Sequence, residues 1–356
     1  MTEIKISSFQ FYTLLFLTNL LTTVTYIPSY AKGNSATDTI LLSLISPIII
    51  LIFALPLLKI LKKNPQMNIL EIAEKKSIKF RKVLTIIYSI VIFYFTLTNT
   101  LRLDLFTGTV VFPKTNVNFF LVFVIVICCY GAHFGLEAIG RSGVLSLFSV
   151  FVALIFIFAT LIKRVDFLNF PPLFYNGAKP FLMSTVVYFG RISELILVGL
   201  LWDKVGGKKQ KGFMFWAIIQ GVVAVAFQFL TTGVMGNFAD SQLFPIHTLS
   251  ALAEYAMFKR LDALITGIWL LCAFLKLSLY IYLQVELLHR EFSKISKTTY
   301  LILIGALLCV LGVFGGNSVN RFLIIDRGIL KAILLIVLVF FVPFYLLICE
   351  RKRKNA

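Results

Sequence analysis

The chain has 356 residues, of which 59% are hydrophobic and only 14% are charged, and its mean hydropathy is +0.93. This apolar share exceeds the roughly 45–50% of ordinary soluble domains and excludes a soluble globular protein. The formal net charge of +18 would by itself be compatible with nucleic-acid binding. The basic residues lie mainly in short loops between apolar runs, however, so no nucleic-acid partner is expected.

Apolar runs of about 20 residues recur along the chain, and each could cross a bilayer core about 30 Å thick as a helix. They are continuous rather than alternating, which favours helices over the strands of a barrel. The sequence therefore predicts an all-α polytopic membrane protein with about ten spans, in a single transmembrane domain over 1–356. The first run lacks a signal-peptide cleavage pattern and is expected to stay as a helix. The predicted spans are 9–31, 38–61, 83–106, 117–136, 142–162, 180–202, 213–236, 261–287, 298–316 and 329–349.

The distribution of lysine and arginine predicts the orientation. Three basic clusters, at 59–82, 203–211 and 350–354, fall on the same side of the membrane in this span arrangement. Positive charge concentrates on the cytoplasmic side of membrane proteins, so we expect both termini to be cytoplasmic. The clusters are expected to rest against anionic lipid headgroups.

The spans divide into two sets of five, 9–162 and 180–349, which is the layout of inverted-repeat transporters. In such proteins the first helix of each set is interrupted. In span 6, Gly190 stands beside Arg191 near the midpoint, where a helix can open. Span 1 carries hydroxyls that could satisfy freed backbone groups, and a proline: Thr22, Thr23, Thr25 and Pro28. The alternative is that these small residues merely allow close helix packing.

Three ionisable residues, Arg191, Glu194 and Lys276, lie deep within predicted spans. Such a residue costs roughly 2.5–3.5 kcal/mol at a helix centre, so it usually faces a cavity, a partner or a pathway. Arg191 and Glu194 share one helical face, and they either pair with each other or line a pocket. Lys276 has no acidic residue nearby in sequence. It either extends to the membrane surface or supplies a fixed charge to a binding site.

Other charged residues suggest structural roles. Arg102 and Asp104, near the outer end of span 3, are expected to anchor that helix at the membrane interface. Glu137 and Arg141 have the i,i+4 spacing of a helical salt bridge. The outer loop 236–264 has apolar residues at helical spacing from Leu249, which predicts a surface helix.

Motifs of common enzymes and metal sites are not found in the sequence. There is no phosphate-binding G-x-x-x-x-G-K loop and no G-x-S-x-G. The histidines are scattered, and the cysteines lie in or at the end of apolar spans without C-x-x-C spacing. We therefore expect no catalytic residues, no metal and no cofactor.

Three stretches carry a family resemblance: SSFQ before span 1, YGAHFGLEAIGR (130–141) and FPIHTLSALAEYAMFKRLDALITGIWLLCAFLKLSLYIYL (244–283). They are similar to the spore germination permease family, the B subunits of GerA-type germinant receptors, and the span layout extends the resemblance over nearly the whole chain. The resemblance implies the fold of the amino acid/polyamine/organocation transporter superfamily, with five-plus-five inverted repeats. It also implies a location in the inner membrane of a bacterial endospore, with both termini on the spore-core side.

The same resemblance implies a function. Such B subunits sense a small nutrient germinant, commonly an amino acid, and trigger germination with a larger A-type membrane subunit and a C-type lipoprotein subunit. The implied ligand pocket lies among spans 1, 3, 6 and 8. Its expected residues are Thr22, Thr23, Thr25, Thr96, Asn99, Phe189, Gly190, Arg191, Ser193, Glu194, Trp269 and Lys276.

One departure from the family pattern affects the pocket. Relatives place glycine-rich sequence in the middle of span 1, where this chain has Leu21, Thr22 and Thr23. Backbone amides would then be less accessible to a ligand carboxylate, so an altered pocket, or one without ligand binding, is an alternative. Two other functions also stay open: a proton- or ion-coupled amino acid transporter with Glu194 or Lys276 as the titrating group, and an assembly subunit that holds its partners.

Overall fold

The computed structural model describes residues 5–25, 35–113, 117–253, 262–315 and 319–355, with side chains to Arg351. This part of the chain is almost entirely helical, and a short parallel strand pair joins Ile6–Ser7 (β1) to Val205–Gly206 (β2). The predicted all-α class is confirmed. The helices are α1 Ser8–Val24, α2 Ala36–Lys63, α3 Ile69–Glu74, α4 Ile78–Phe106, α5 Asn118–His133, α6 Gly135–Leu161, α7 Ala178–Phe189, α8 Glu194–Leu201, α9 Lys209–Met235, α10 Phe238–Ser241, α11 Pro245–Ala251, α12 Asp262–Glu291, α13 Lys297–Gly315, α14 Val319–Ile325, α15 Gly328–Leu335 and α16 Val342–Asn355.

The long helices have the dimensions of membrane spans. Within the described ranges, eight helical segments are long and apolar enough to cross a bilayer, and α5 is a shorter apolar helix. A helix lies in each predicted span, although α1 has only 17 residues before the undescribed segment 26–34. Large apolar side chains such as Phe148 and Phe119 are exposed on the outside of the bundle. A lipid environment suits such a surface, and these helices are those of an integral membrane protein.

Span 6 is interrupted, as predicted. Helix α7 ends at Phe189 and α8 begins at Glu194, and the residues between them leave the regular helix. In span 1, helix α1 ends at Val24, and the rest of the predicted irregular segment, with Pro28, lies outside the described residues. Span 10 is longer than predicted, because the last membrane-length segment is Val319–Arg351. It has a break at Asp326–Arg327, between α14 and α15, that was not predicted. The inverted repeat itself stays a prediction.

The breaks of spans 6 and 10 touch through their backbones. A Cβ added to Gly190 would lie 2.5 Å from the carbonyl oxygen of Gly328 and 2.7 Å from the amide nitrogen of Ala332. Both distances are shorter than a carbon atom can approach these groups, so only glycine fits between the two spans here. The sequence signal at Gly190 thus reflects a close backbone approach as well as a helix break.

Helix α12 forms the centre of the bundle. It packs against α1, α4, α5, α6 and α13, whereas α2 packs along α9. Trp269, Cys272 and Tyr280 on α12 are all buried. This central position carries Lys276 into the interior, far from either end of its helix.

Three structural expectations can be compared with the described residues. The predicted Glu137–Arg141 salt bridge is confirmed, with Nη2 of the arginine 2.5 Å from Oε1 of the glutamate. Interfacial anchoring by Arg102 and Asp104 is wrong, because both are buried and the Arg102 Nη2 lies 2.7 Å from Oδ2 of Asp326 on span 10. The outer loop contains α11 with Leu249 buried, while residues 254–261 of the predicted surface helix lie outside the described ranges.

Candidate ligand site at the interrupted span

A buried ion pair lies directly beyond the break in span 6. The Nζ atom of Lys276 on α12 is 2.9 Å from Oε1 of Glu194, and the two side chains are 1% and 0% exposed. Glu194 opens α8, where the helix dipole favours a carboxylate. Glu194 therefore pairs with Lys276 rather than with Arg191, and Lys276 does not extend to the membrane surface. The two corresponding sequence-based alternatives, an Arg191–Glu194 pair and a Lys276 side chain at the membrane surface, are wrong.

Helix α1 supplies polar partners to both members of the pair. Asn19 donates a hydrogen bond from Nδ2 to Oε2 of Glu194 at 3.0 Å. Lys276 donates from Nζ to Oγ1 of Thr22 at 2.8 Å. A buried ion pair is tolerated only when such additional hydrogen bonds offset part of its desolvation. Three spans, 1, 6 and 8, thus meet at this pair.

Arg191 makes a different contact, at the end of α1. Its guanidinium donates a hydrogen bond from Nη2 to the backbone carbonyl of Thr22. The carbonyls of the last helical turn lack intrahelical donors, and positive charge is favourable at that end of a helix dipole. Arg191 therefore ties the described end of span 1 to the break of span 6.

The break is also fixed from α12 by a hydroxyl pair. Tyr280 donates from its hydroxyl to Oγ of Ser193 at 2.6 Å, and both residues are buried. Ser193 is the last irregular residue before α8. This contact holds the backbone that positions Glu194.

Tyr280→Phe is expected to reduce the free energy of unfolding by about 0.5–1.5 kcal/mol, the usual net contribution of a hydrogen bond. The Ser193→Ala variant should lose a similar amount, and the double variant should lose little more than either one, because all three remove the same contact. Thermal unfolding of the purified protein in detergent measures this. Losses in the double variant that equal the sum of the single losses would contradict the assignment.

A small polar cavity lies beside the ion pair. It has a volume of about 20 Å³, which is room for about one water molecule. Sites for small molecules usually measure about 300–1,000 Å³, so this conformation is closed to a nutrient. Oε1 of the buried Gln220 has no hydrogen-bond partner among the described residues. The cavity is lined by Asn19, Thr22, Thr23, Ser43, Tyr188, Arg191, Ile192, Gln220, Ala224 and Gln228.

The expected pocket residues divide into two groups. Thr22, Thr23 and Arg191 line the cavity, and Ser193, Glu194 and Lys276 form the contacts just described. Three others pack against neighbouring helices. Phe189 packs on Phe53 and Trp269 stacks on Phe106, at ring centroid distances of 4.6 and 4.1 Å, while Gly190 meets span 10.

Three expected polar residues donate hydrogen bonds to their own helices. Thr25 donates to the carbonyl of Leu21 at 2.6 Å. In α4, Thr96 donates to the carbonyl of Ile92 at 2.8 Å and Asn99 to that of Phe95 at 2.6 Å. None of the three lines the small cavity in this conformation.

Sequence reasoning missed the contributions of spans 2 and 7. Ser43 on α2, and Gln220 and Gln228 on α9, line the cavity together with Asn19 and Tyr188. The amides had a usable signal, because polar side chains inside an apolar span tend to face a partner or a cavity. Among the described residues, no group of three or more His, Cys, Asp or Glu could hold a metal ion.

A bundle of membrane-length helices around a buried polar site, at an interrupted span, is an arrangement found in permease-type membrane proteins. The family model described as "Spore germination protein" matches residues 5–315, and the chain belongs to this spore germination permease family. A similar relative is the Bacillus subtilis (strain 168) protein named "Putative spore germination protein YfkT", which is 25% identical over 323 residues covering 88% of each chain. The protein is thus a germination-related integral membrane protein of a receptor- or transporter-type family.

Proposed function

We propose that this protein is the germinant-sensing subunit of a spore nutrient receptor and binds a small zwitterion such as an amino acid at the Lys276–Glu194 pair. The observation that carries the proposal is this ion pair, which lies beside the polar cavity and is 1% and 0% exposed. Its two charges are complementary to those of an amino acid. The ligand would bind among spans 1, 6 and 8.

The chemistry of the site supports an exchange of partners. The ligand carboxylate would accept hydrogen bonds from Lys276 and Arg191, and its ammonium group would donate to Glu194 and to the unsatisfied Oε1 of Gln220. Charge-assisted hydrogen bonds of this kind are about twice as strong as neutral ones. Each buried charge keeps an opposite charge throughout, which avoids the large penalty of an uncompensated one.

This exchange of partners also explains how the chain could bind a carboxylate without the glycine-rich segment that the family has in span 1. The family's glycine-rich segment would offer backbone amides to a carboxylate, whereas this chain has side chains at Leu21, Thr22 and Thr23. Lys276 donates to Thr22 and lies within reach of span 1. Cationic side chains would thus replace backbone amides as the carboxylate-binding groups.

The size of the cavity supports a sensing mechanism. A volume of about 20 Å³ cannot hold an amino acid, so binding requires α1 to separate from the break in span 6. A ligand that binds only the open conformer shifts the equilibrium towards it by its difference in affinity. A shift from 1:99 to 99:1 needs about 5.5 kcal/mol. In this proposal an A-type membrane subunit and a C-type lipoprotein read that shift in the spore inner membrane.

Spores that lack this gene and carry its variants test the proposal. Thr23→Trp fills the cavity and Arg191→Ala removes a carboxylate ligand, so each should raise the nutrient concentration for half-maximal germination by roughly tenfold or more. Arg141→Ala, at an exposed salt bridge, is the matched control and should leave the threshold unchanged. Unchanged thresholds in the pocket variants, at normal levels of all subunits, would contradict the site.

A second function is favoured by the same pair. Buried ionisable groups beside interrupted helices also form the coupling sites of proton- or ion-driven transporters. Proteoliposomes with a pH-sensitive dye separate the two functions. A transporter predicts amino-acid-dependent proton movement that Glu194→Gln abolishes, whereas a sensing subunit predicts binding without net movement of amino acid or protons.

A further inference from the structure

A basic cleft lies at the end of the bundle where span 2 ends and span 7 begins. Its volume is about 530 Å³, large enough for a lipid headgroup, and it is separate from the ligand site. Four lysines and two glycines stand among its lining residues. They are Lys62, Gly206, Gly207, Lys208, Lys209 and Lys211.

The lysines of the cleft have different roles. Lys209 donates hydrogen bonds from Nζ to the carbonyls of Trp202 at 2.5 Å and Pro65 at 2.9 Å, so it joins the two loops that form the cleft. The side chains of Lys62, Lys208 and Lys211 are exposed, and they make no hydrogen bond or ion pair with another described residue. Their ammonium groups are available to an anion.

The start of helix α9 offers further hydrogen-bond donors at the cleft. No side chain caps this end of the helix. The amide of Lys209 donates to the carbonyl of Gly207 at 3.0 Å, whereas the amides of Gln210 and Lys211 have no acceptor among the described residues. The donors of the cleft therefore match a ligand with several anionic oxygens.

An apolar stripe on α9 leads away from the cleft. Phe215, Ile218 and Val222 follow Lys211 on the same helical face and are 65%, 51% and 62% exposed. On a membrane-spanning helix such a face contacts lipid chains. A ligand with a phosphate in the cleft and hydrocarbon along this stripe would match both surfaces.

We propose that this cleft binds the phosphate of an anionic phospholipid headgroup. Lys62, Lys208 and Lys211 supply the positive charge, and the amides of Gln210 and Lys211 at the start of α9 supply fixed donors. The acyl chains lie along Phe215, Ile218 and Val222. One specific lipid thereby joins the ends of spans 2 and 6 to the start of span 7.

Titration of the detergent-purified full chain with short-chain phosphatidylglycerol or phosphatidylcholine, followed by the thermal midpoint, tests this site. Phosphatidylglycerol should give a saturable rise at a concentration at least about tenfold lower than phosphatidylcholine needs. Lys208→Gln with Lys211→Gln should raise that concentration by roughly tenfold or more. The matched control is Lys79→Gln with Lys82→Gln, two exposed lysines at the same end of the bundle, and it should change the concentration by less than about twofold.

The outcomes separate the sources of the anion. Two results would overturn the site: the same response to both lipids, or the same loss of lipid affinity in both double variants. Either result would mean that the lysines attract anionic lipid only through diffuse surface charge. A third titration uses inorganic phosphate. If phosphate saturated the response at the same concentration as phosphatidylglycerol, the acyl stripe would contribute nothing and the lipid assignment would be overturned. A weaker effect of phosphate, by tenfold or more, is the expected result.

Discussion

Lys276→Met is expected to lower the free energy of unfolding by about 3–5 kcal/mol, because it leaves the buried carboxylate of Glu194 without its counter-charge. Glu194→Gln should lower the free energy of unfolding by a similar amount, because it leaves the buried ammonium group of Lys276 without a counter-charge. Both side chains are at most 1% exposed, so water cannot replace the lost partner. Unfolding of the purified protein in mixed detergent micelles measures the change.

The double variant, Lys276→Met with Glu194→Gln, tests whether the two charges stabilise each other. Removing both charges removes the desolvation cost as well, so most of the lost stability should return. Arg141→Met breaks an exposed salt bridge and should cost no more than about 1 kcal/mol. A double variant as unstable as either single variant would show that the two residues do not act as a pair.

Gly190→Ala is expected to destabilise the protein by about 3 kcal/mol or more. Overpacking a core usually costs about 1–3 kcal/mol when neighbouring side chains can move. Here the added Cβ would lie 2.5 Å from the carbonyl oxygen of Gly328 and 2.7 Å from the amide nitrogen of Ala332. Backbone atoms cannot rotate away, so spans 6 and 10 must separate. A lower thermal midpoint and a lower yield in the membrane report this change.

Gly267→Ala is the matched control for this substitution. Gly267 lies in the helix of span 8, and a Cβ there meets no atom within 4 Å. Alanine favours helix over glycine by up to about 1 kcal/mol, so this variant should be as stable as the original or slightly more stable. If Gly190→Ala behaved like Gly267→Ala, the close approach of the two breaks would be wrong.

Much of the fold could be predicted because membrane spans are local signals. Continuous apolar runs predict the helices, and Gly190 next to Arg191 predicts the interruption of span 6. The resemblance of the three motifs predicts the family. These features depend on neighbouring residues in the sequence, so no knowledge of tertiary contacts was needed.

The partners of the charged residues could not be predicted in this way. The i,i+3 spacing suggests that Glu194 pairs with Arg191. Packing of α12 against α1 instead brings Lys276 into contact with Glu194. Arg102 stands near a helix end, which suggests an interface, but its partner Asp326 comes from the unpredicted break in span 10. Pairing between distant spans depends on how the helices pack, and periodicity carries no information about that.

The most direct test of nutrient sensing at the buried pair is a binding measurement on the purified protein. A nutrient screen with complemented deletion spores identifies the nutrient, and its affinity is then measured for the original protein and for Lys276→Met with Glu194→Gln. We expect saturable binding by the original protein and at least about a hundredfold loss of affinity in the double variant, which keeps its fold. An unchanged affinity in the folded double variant would contradict nutrient binding at the Lys276–Glu194 pair.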